Sequence, residues 1–157
     1  MAENPFFEDW RAPFEAPPFD LIQAAHFPPA FARAMREHTQ AVARVCENSA
    51  PPSFSNTVEP LEIALRRFSR VRNVFGALAG AHTSDALQAV EREMAPKLAR
   101  HFNEYYLNAK LFARLKAVAE TVSGLNEEQN RLIERYLIAF RRSGAELSGE
   151  ATLCGNQ

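Results

Sequence analysis

Apolar residues recur along this chain at three- and four-residue steps. The two-residue alternation and Gly/Asn turn signals of hairpin strands are weak, so the pattern predicts helices and no sheet. It is clearest between Asn56 and Leu107. There Val58, Leu61, Leu65, Phe68, Val71, Phe75 and Leu78 form one stripe, and Leu87, Val90, Met94, Leu98, Phe102 and Tyr105 form a second. A tight connection at Gly80–Asp85 separates the two. Two such stripes on either side of a short turn are expected to close as an antiparallel hairpin, with the rest of the chain extending it.

Upstream, a helix is expected from Pro28-Pro29 to about Asn48, because proline suits a first helical turn. Its inner face is read as Phe27, Phe31, Met35, Val42 and Val45. Ser49–Ser55 reads as a linker. Ser55, Asn56 and Thr57 each fit as the next N-cap, and Thr83 or Ser84 fits as the one after. Pro96 is expected to kink its helix near Arg92–Met94. Asn108 is expected to cap a fourth helix, with Leu111, Leu115, Val118 and Val122 inward. Asn126 with Gln129 resembles a capping box for a fifth, whose apolar face is Leu132, Ile133, Tyr136, Leu137 and Phe140, ending near Gly144.

The first 29 residues carry six of the ten prolines and five of the twelve phenylalanines. Proline disfavours helix, while rings of this kind favour burial, so the pattern predicts an extended arm docked through Trp10, Phe14 and Phe19. Asp20–Ala25 is read as one short helical turn. The fold class is therefore all-α: antiparallel helical hairpins in a bundle of about five helices, with a Pro/Phe-rich N-terminal arm. The boundaries are arm 1–27, helical domain 28–147 and a distinct tail 148–157.

Composition changes this picture little. A chain of 157 residues fits one domain, and one of that size buries roughly 68–70% of its unfolded surface. A formal net charge of −1 argues against bulk binding to nucleic acid or membrane surfaces. No apolar run is long enough to span a bilayer, and the N-terminus lacks a signal-peptide pattern. Cys46 and Cys154 match no metal spacing and suit a reducing compartment, so the cytoplasm is the expected location.

Candidate chemistry is sparse. His26, His38, His82 and His101 are scattered, and none is paired at the four-residue spacing that lets two imidazoles share a zinc. Ordinary surface or interface histidines are the plain reading. His101 and Glu104 share a helix face, but two ligands do not hold a metal. Cys46 reads as buried filler beside Val42 and Val45. Arg66, Arg67, Arg70 and Arg72 form a basic run that suits either a phosphate-binding patch or, more plainly, a solvated face, with Glu62 placed to pair with Arg66. Phe102, Tyr105, Tyr106 and Phe112 suit either a peptide groove or, more plainly, core packing. No catalytic, cofactor-binding or metal-ligating residue is assigned.

One resemblance goes further. Asn4-Pro5-Phe6, Pro18-Phe19-Asp20-Leu21-Ile22 and His26-Phe27-Pro28-Pro29-Ala30-Phe31 resemble the opening of bacterial peptidyl-dipeptidases. The likeness continues through Phe54-Ser55-Asn56-Thr57, Ala81-His82-Thr83-Ser84-Asp85, Pro96-Lys97-Leu98 and Leu111-Phe112-Ala113-Arg114, covering nearly all of residues 4–147. These are dipeptidyl carboxypeptidases of the thimet oligopeptidase and oligopeptidase A family. The resemblance implies a zinc metallopeptidase that encloses short peptides between two largely helical halves. It also implies a His-Glu-x-x-His helix far toward the carboxyl end, where metal polarises the scissile carbonyl and the motif glutamate activates water. This chain contains no His-Glu-x-x-His, and its likeness to the family is expected to lapse near Ser148. The expectation is thus a truncated or isolated amino-terminal domain, inert alone, with zinc only in the full-length family. The alternatives are a helical interaction module and one half of a split peptidase complemented in trans. A further expectation is self-association, or contact with a missing catalytic half, through the fifth helix, whose Ile138 points away from its inner face.

Overall fold

Nearly every helix of this protein begins where the sequence offers a capping side chain or a proline. A computed structural model describes residues 4–81 and 84–145. It contains α1 (Phe27–Glu47), α2 (Glu59–Ala81), α3 (Asp85–Tyr106), α4 (Ala109–Thr121) and α5 (Glu127–Arg142). No strand occurs among the described residues. Short 3₁₀ turns at Pro5–Phe7, Pro13–Glu15 and Ala24–His26 punctuate the arm, the last of them close to the expected helical turn.

The caps follow the sequence closely. Pro28 and Pro29 occupy the first turn of α1. Ser84 Oγ accepts from the Leu87 amide at the start of α3. Asn108 Oδ1 accepts from the Leu111 amide at 3.0 Å to open α4. Asn126 and Gln129 exchange reciprocal hydrogen bonds of 2.8 and 3.0 Å at the start of α5. One cap differs. None of Ser55, Asn56 or Thr57 is the N-cap before α2. Ser53 is, in a capping box with Asn56, and a single π turn at Phe54–Val58 leads into the helix. The linker is shorter than expected because the polar side chains of Ser53 and Asn56 satisfy each other's backbone two residues earlier. α3 runs unbroken through the exposed Pro96, which forfeits one backbone bond without ending the helix. Gly144, at φ 90°, follows the end of α5.

The chain divides into two compact units, Met1–His38 with Ala64–Leu98, and Thr39–Ile63 with Ala99–Gln157. In the first, Phe27 and Phe31 of α1 meet Phe75 of α2 edge-on at 5.0 and 5.7 Å. Phe27, Phe31 and Phe68 are almost wholly buried, each contributing roughly 1.5–3 kcal/mol. Leu87, Val90 and Met94 of α3 are buried in the same unit. The α2 stripe is rotated slightly from its expected position: Ala64 and Val74 are buried, whereas Leu65, Phe75 and Leu78 are part-exposed. Alanine gives little signal in a hydrophobic pattern, so it hides the edge of the buried face.

The arm is docked only in part. Phe6 packs on Phe27 at 5.2 Å, and Trp10 lies 6.0 Å from Phe6. Phe14 and Phe19, expected to be buried, are 103% and 47% exposed. Phe14 and Glu15 take φ values of 60° and 53°, a left-handed conformation costing roughly 1–2 kcal/mol per residue. Pro13, Pro17 and Pro18 flank this turn, and the backbone they constrain, rather than side-chain hydrophobicity, decides where the Phe14 ring points.

In the second unit α4 packs against α5 and against the π turn. Val58, Leu61, Leu111, Leu115, Val118, Ile133 and Phe140 are among its most buried apolar side chains. Val122, expected inward, is only half-buried. Phe140 collects Tyr105, Tyr106 and Phe112 around it at 5.2, 5.4 and 6.0 Å, so Tyr105 and Phe112 of the aromatic stripe are core, while Phe102 and Tyr106 are half-buried. The tail from Ser148, Cys154, His82 and Thr83 lie outside the described residues.

Candidate functional site

The histidines do not assemble. His26 Nδ1 accepts from the Gln23 amide at 3.0 Å, which closes the turn before α1. His38 is fully buried, 6.5 Å from the Phe68 ring. His101 is 8% exposed and packs edge-on against Phe102. Burial pushes its pKa down, opposed by the carboxylate of Glu104. The surface reading of His38 and His101 is therefore corrected: both imidazoles are core residues. Among the described residues no three His, Cys, Asp or Glu side chains come together as a metal set. Cys46 is half-buried, its Sγ 3.8 Å from Asn108 Oδ1, and burial raises its pKa, opposed by that hydrogen bond. A thiol of that kind is a poor nucleophile.

The basic run also resolves into specific contacts. Arg70 is not a solvated arginine. Its guanidinium carbon lies 3.6 Å from the Trp10 ring centroid, and its Nη2 donates to the Glu8 carbonyl at 3.0 Å. Burial lowers its pKa, opposed by Asp9 and Glu15. Arg67 reaches Glu37 at 3.6 Å, and Arg33 holds the same carboxylate at 2.9 Å while covering the Phe7 ring. A cavity of about 190 Å³ lies among these groups, with Arg33, Glu37, Arg67 and Arg70 in its wall. Its charges are largely paired, which suits fastening the arm better than holding a free anion.

Glu62 was expected to pair with Arg66. Instead Glu62 Oε1 accepts from the Tyr136 hydroxyl at 2.5 Å. Burial drives the pKa of Tyr105 and of Tyr136 well above the ordinary phenol value. Arg114 donates to the carbonyls of Asn48 and Ala50 at 2.6 and 3.3 Å and to Asn56 Oδ1 at 3.3 Å. It thereby satisfies carbonyls in the connection between α1 and α2. These are contacts that position helices. Periodicity marks the faces on which they lie, but no motif in the sequence announces the pairs.

Comparison with known proteins places these features. The family model described as Neurolysin/Thimet oligopeptidase, N-terminal domain, matches residues 31–152. A dipeptidyl carboxypeptidase of Salmonella typhimurium is 36% identical over 152 residues, 96% of this chain and 22% of that protein. A dipeptidyl carboxypeptidase of Escherichia coli is 37% identical over 147 residues, 92% of this chain and 22% of that protein. Oligopeptidase A of Escherichia coli is 25% identical over 140 residues, 88% of this chain and 21% of that protein. The chain thus spans about a fifth of the length of these relatives.

Proposed function

This chain belongs to the neurolysin/thimet oligopeptidase family of zinc metallopeptidases, matching its N-terminal domain, and from that premise we propose that it forms the non-catalytic wall of a peptidyl-dipeptidase. The observation that carries the reading is the family match over residues 31–152. The described histidines and carboxylates do not fit a zinc ion, because no three of them converge. Hydrolysis of short peptides then depends on ligands supplied by a further part of the polypeptide or by a separate chain. The domain's own work is to enclose the peptide and limit what enters. α5 is the surface proposed to meet the metal-bearing part. Ile138 is 40% exposed there, beside Arg135 and Arg142 in the wall of a shallow cavity. Two copies of this face would oppose like charges, which favours a different partner over a symmetric dimer.

The cytoplasm is the proposed location. Among the described residues no helix is long and apolar enough to cross a membrane, and Cys46 is a free thiol. Fractionation of cells expressing the chain checks this.

The function is tested by mixing. The chain alone is expected to bind no stoichiometric zinc and to cleave no quenched short peptide. Adding the Escherichia coli dipeptidyl carboxypeptidase deprived of its matching segment is expected to give chelator-sensitive turnover. Turnover by the chain alone would overturn the reading. Failure of the two pieces to bind each other would favour the free-standing interaction module.

A further inference from the structure

The arm forms an open apolar cup of about 280 Å³ whose wall includes Pro5, Trp10, Ala12, Ala16, Pro18 and Leu21. A cavity of roughly 150 Å³ already admits a benzene ring, so this one has room for a leucine- or phenylalanine-sized side chain. Three large apolar side chains of the same arm face solvent: Phe14 at 103%, Leu21 at 59% and Phe19 at 47%. Such a cluster on one short segment is unlike the scattered apolar residues of an ordinary surface. The backbone beside it is strained, with Phe14 and Glu15 in the left-handed region. Strain of this kind persists where surrounding structure holds it, and it gathers at ligand clamps.

The charges around the cup are unequal. Glu8 and Asp9 are in its wall with Arg11, and Glu15 and Asp20 are the sequence neighbours of its wall residues Ala16 and Leu21. Against these carboxylates stand Arg11 and Arg70, and Arg70 is already committed to the Trp10 ring and the Glu8 carbonyl. The surroundings are therefore acidic. We infer that the arm's cup is a docking site for a polypeptide segment presenting one leucine- or phenylalanine-sized side chain between lysines or arginines. Apolar burial in the cup supplies the anchor, and the acidic surroundings select the flanks. A second copy of this chain would bring the same carboxylates against themselves, so charge disfavours it as the occupant.

Trp10 is the only tryptophan of the chain and lines the cavity, so its fluorescence reports occupancy directly. The capped peptide acetyl-Gly-Lys-Leu-Lys-Gly-amide is titrated against the full chain without zinc, beside its Glu-Leu-Glu counterpart. The expected result is a saturable shift in Trp10 emission with the lysine peptide, weakening as salt is added. Leu21→Asp should weaken it by roughly tenfold or more, the usual size for loss of an anchor contact. Asp20→Lys should weaken it by a smaller factor. Both substitutions are at exposed positions, and an unchanged helical circular dichroism spectrum confirms that each variant folds. No saturable shift, or equal binding of the two peptides, would overturn the inference. So would concentration-dependent sedimentation without peptide that Leu21→Asp abolishes, which would assign the cup to a second copy. No catalysis enters this experiment, so its failure would leave the peptidase reading where it stands.

Discussion

Single side chains decide how the helices are held. The Tyr136 hydroxyl donates to Glu62, and hydrogen bonds to charged groups contribute about 1.5–3 kcal/mol. Tyr136→Phe is expected to lower stability by that order in urea unfolding, while Glu62→Gln, which keeps an acceptor, is expected to cost less. An equal loss in both variants would show that the hydrogen bond is not the source. Tyr105 and Tyr136 hold their protons more tightly when folded than when unfolded, because burial disfavours the phenolate. Stability should therefore be intact below about pH 10, the ordinary phenol value, and fall as pH rises beyond it. A denaturation midpoint that stays flat from pH 9 to 12 would contradict this. His101 acts in the opposite direction. Its folded-state pKa is lowered by burial, so its contribution is present above about pH 6.5 and is lost as pH falls through the lower folded-state value.

At the scale of elements, caps and prolines make separable contributions. Asn126 accepts from the Gln129 amide and opens α5, and losing a cap of this type costs about 0.5–2 kcal/mol. Asn126→Ala should lower the thermal midpoint accordingly. Pro96 sits at an exposed position inside α3, where proline is about 3 kcal/mol less favourable than alanine. Pro96→Ala is expected to raise the thermal midpoint, the gain being reduced by the greater freedom of the unfolded chain. A fall would mean that the proline serves packing. The arm is an element in two parts. Chymotrypsin should cut quickly after the exposed Phe14, whereas its sites at Phe6, Phe7 and Trp10, in the stretch held by Asn4, Phe6 and Trp10, should resist. Arg70→Ala should abolish that difference and red-shift Trp10 emission, because the guanidinium no longer covers the ring.

For the whole molecule, the family assignment concerns a domain that matches about a fifth of its relatives' length. The two surfaces proposed for partners differ in chemistry. α5 offers Ile138 among arginines, and the arm offers an apolar cup among carboxylates. Salt should therefore affect binding at the two in parallel, while charge-reversing substitutions should not exchange their partners. Binding of the metal-bearing part should survive Leu21→Asp and be weakened by Ile138→Asp. The reverse result would move that interface to the arm.

The sequence by itself determined the all-helical class, the positions of five helices and most of their caps. These follow from interactions between residues three or four apart, which a linear pattern displays. The ordered run of short motifs from Asn4 to Arg114 also carried the family without any structure. Only the tertiary structure decided which polar groups meet. Glu62 left its helical neighbour Arg66 for Tyr136, 74 residues away, and Arg70 reached Glu8 across 62 residues. It buried His38 completely and left Phe14 bare, against the polarity of each. Side-chain hydrophobicity sets an average tendency. The actual environment of a residue depends on which distant surface arrives against it and on whether the local backbone, here set by prolines, lets the side chain turn inward.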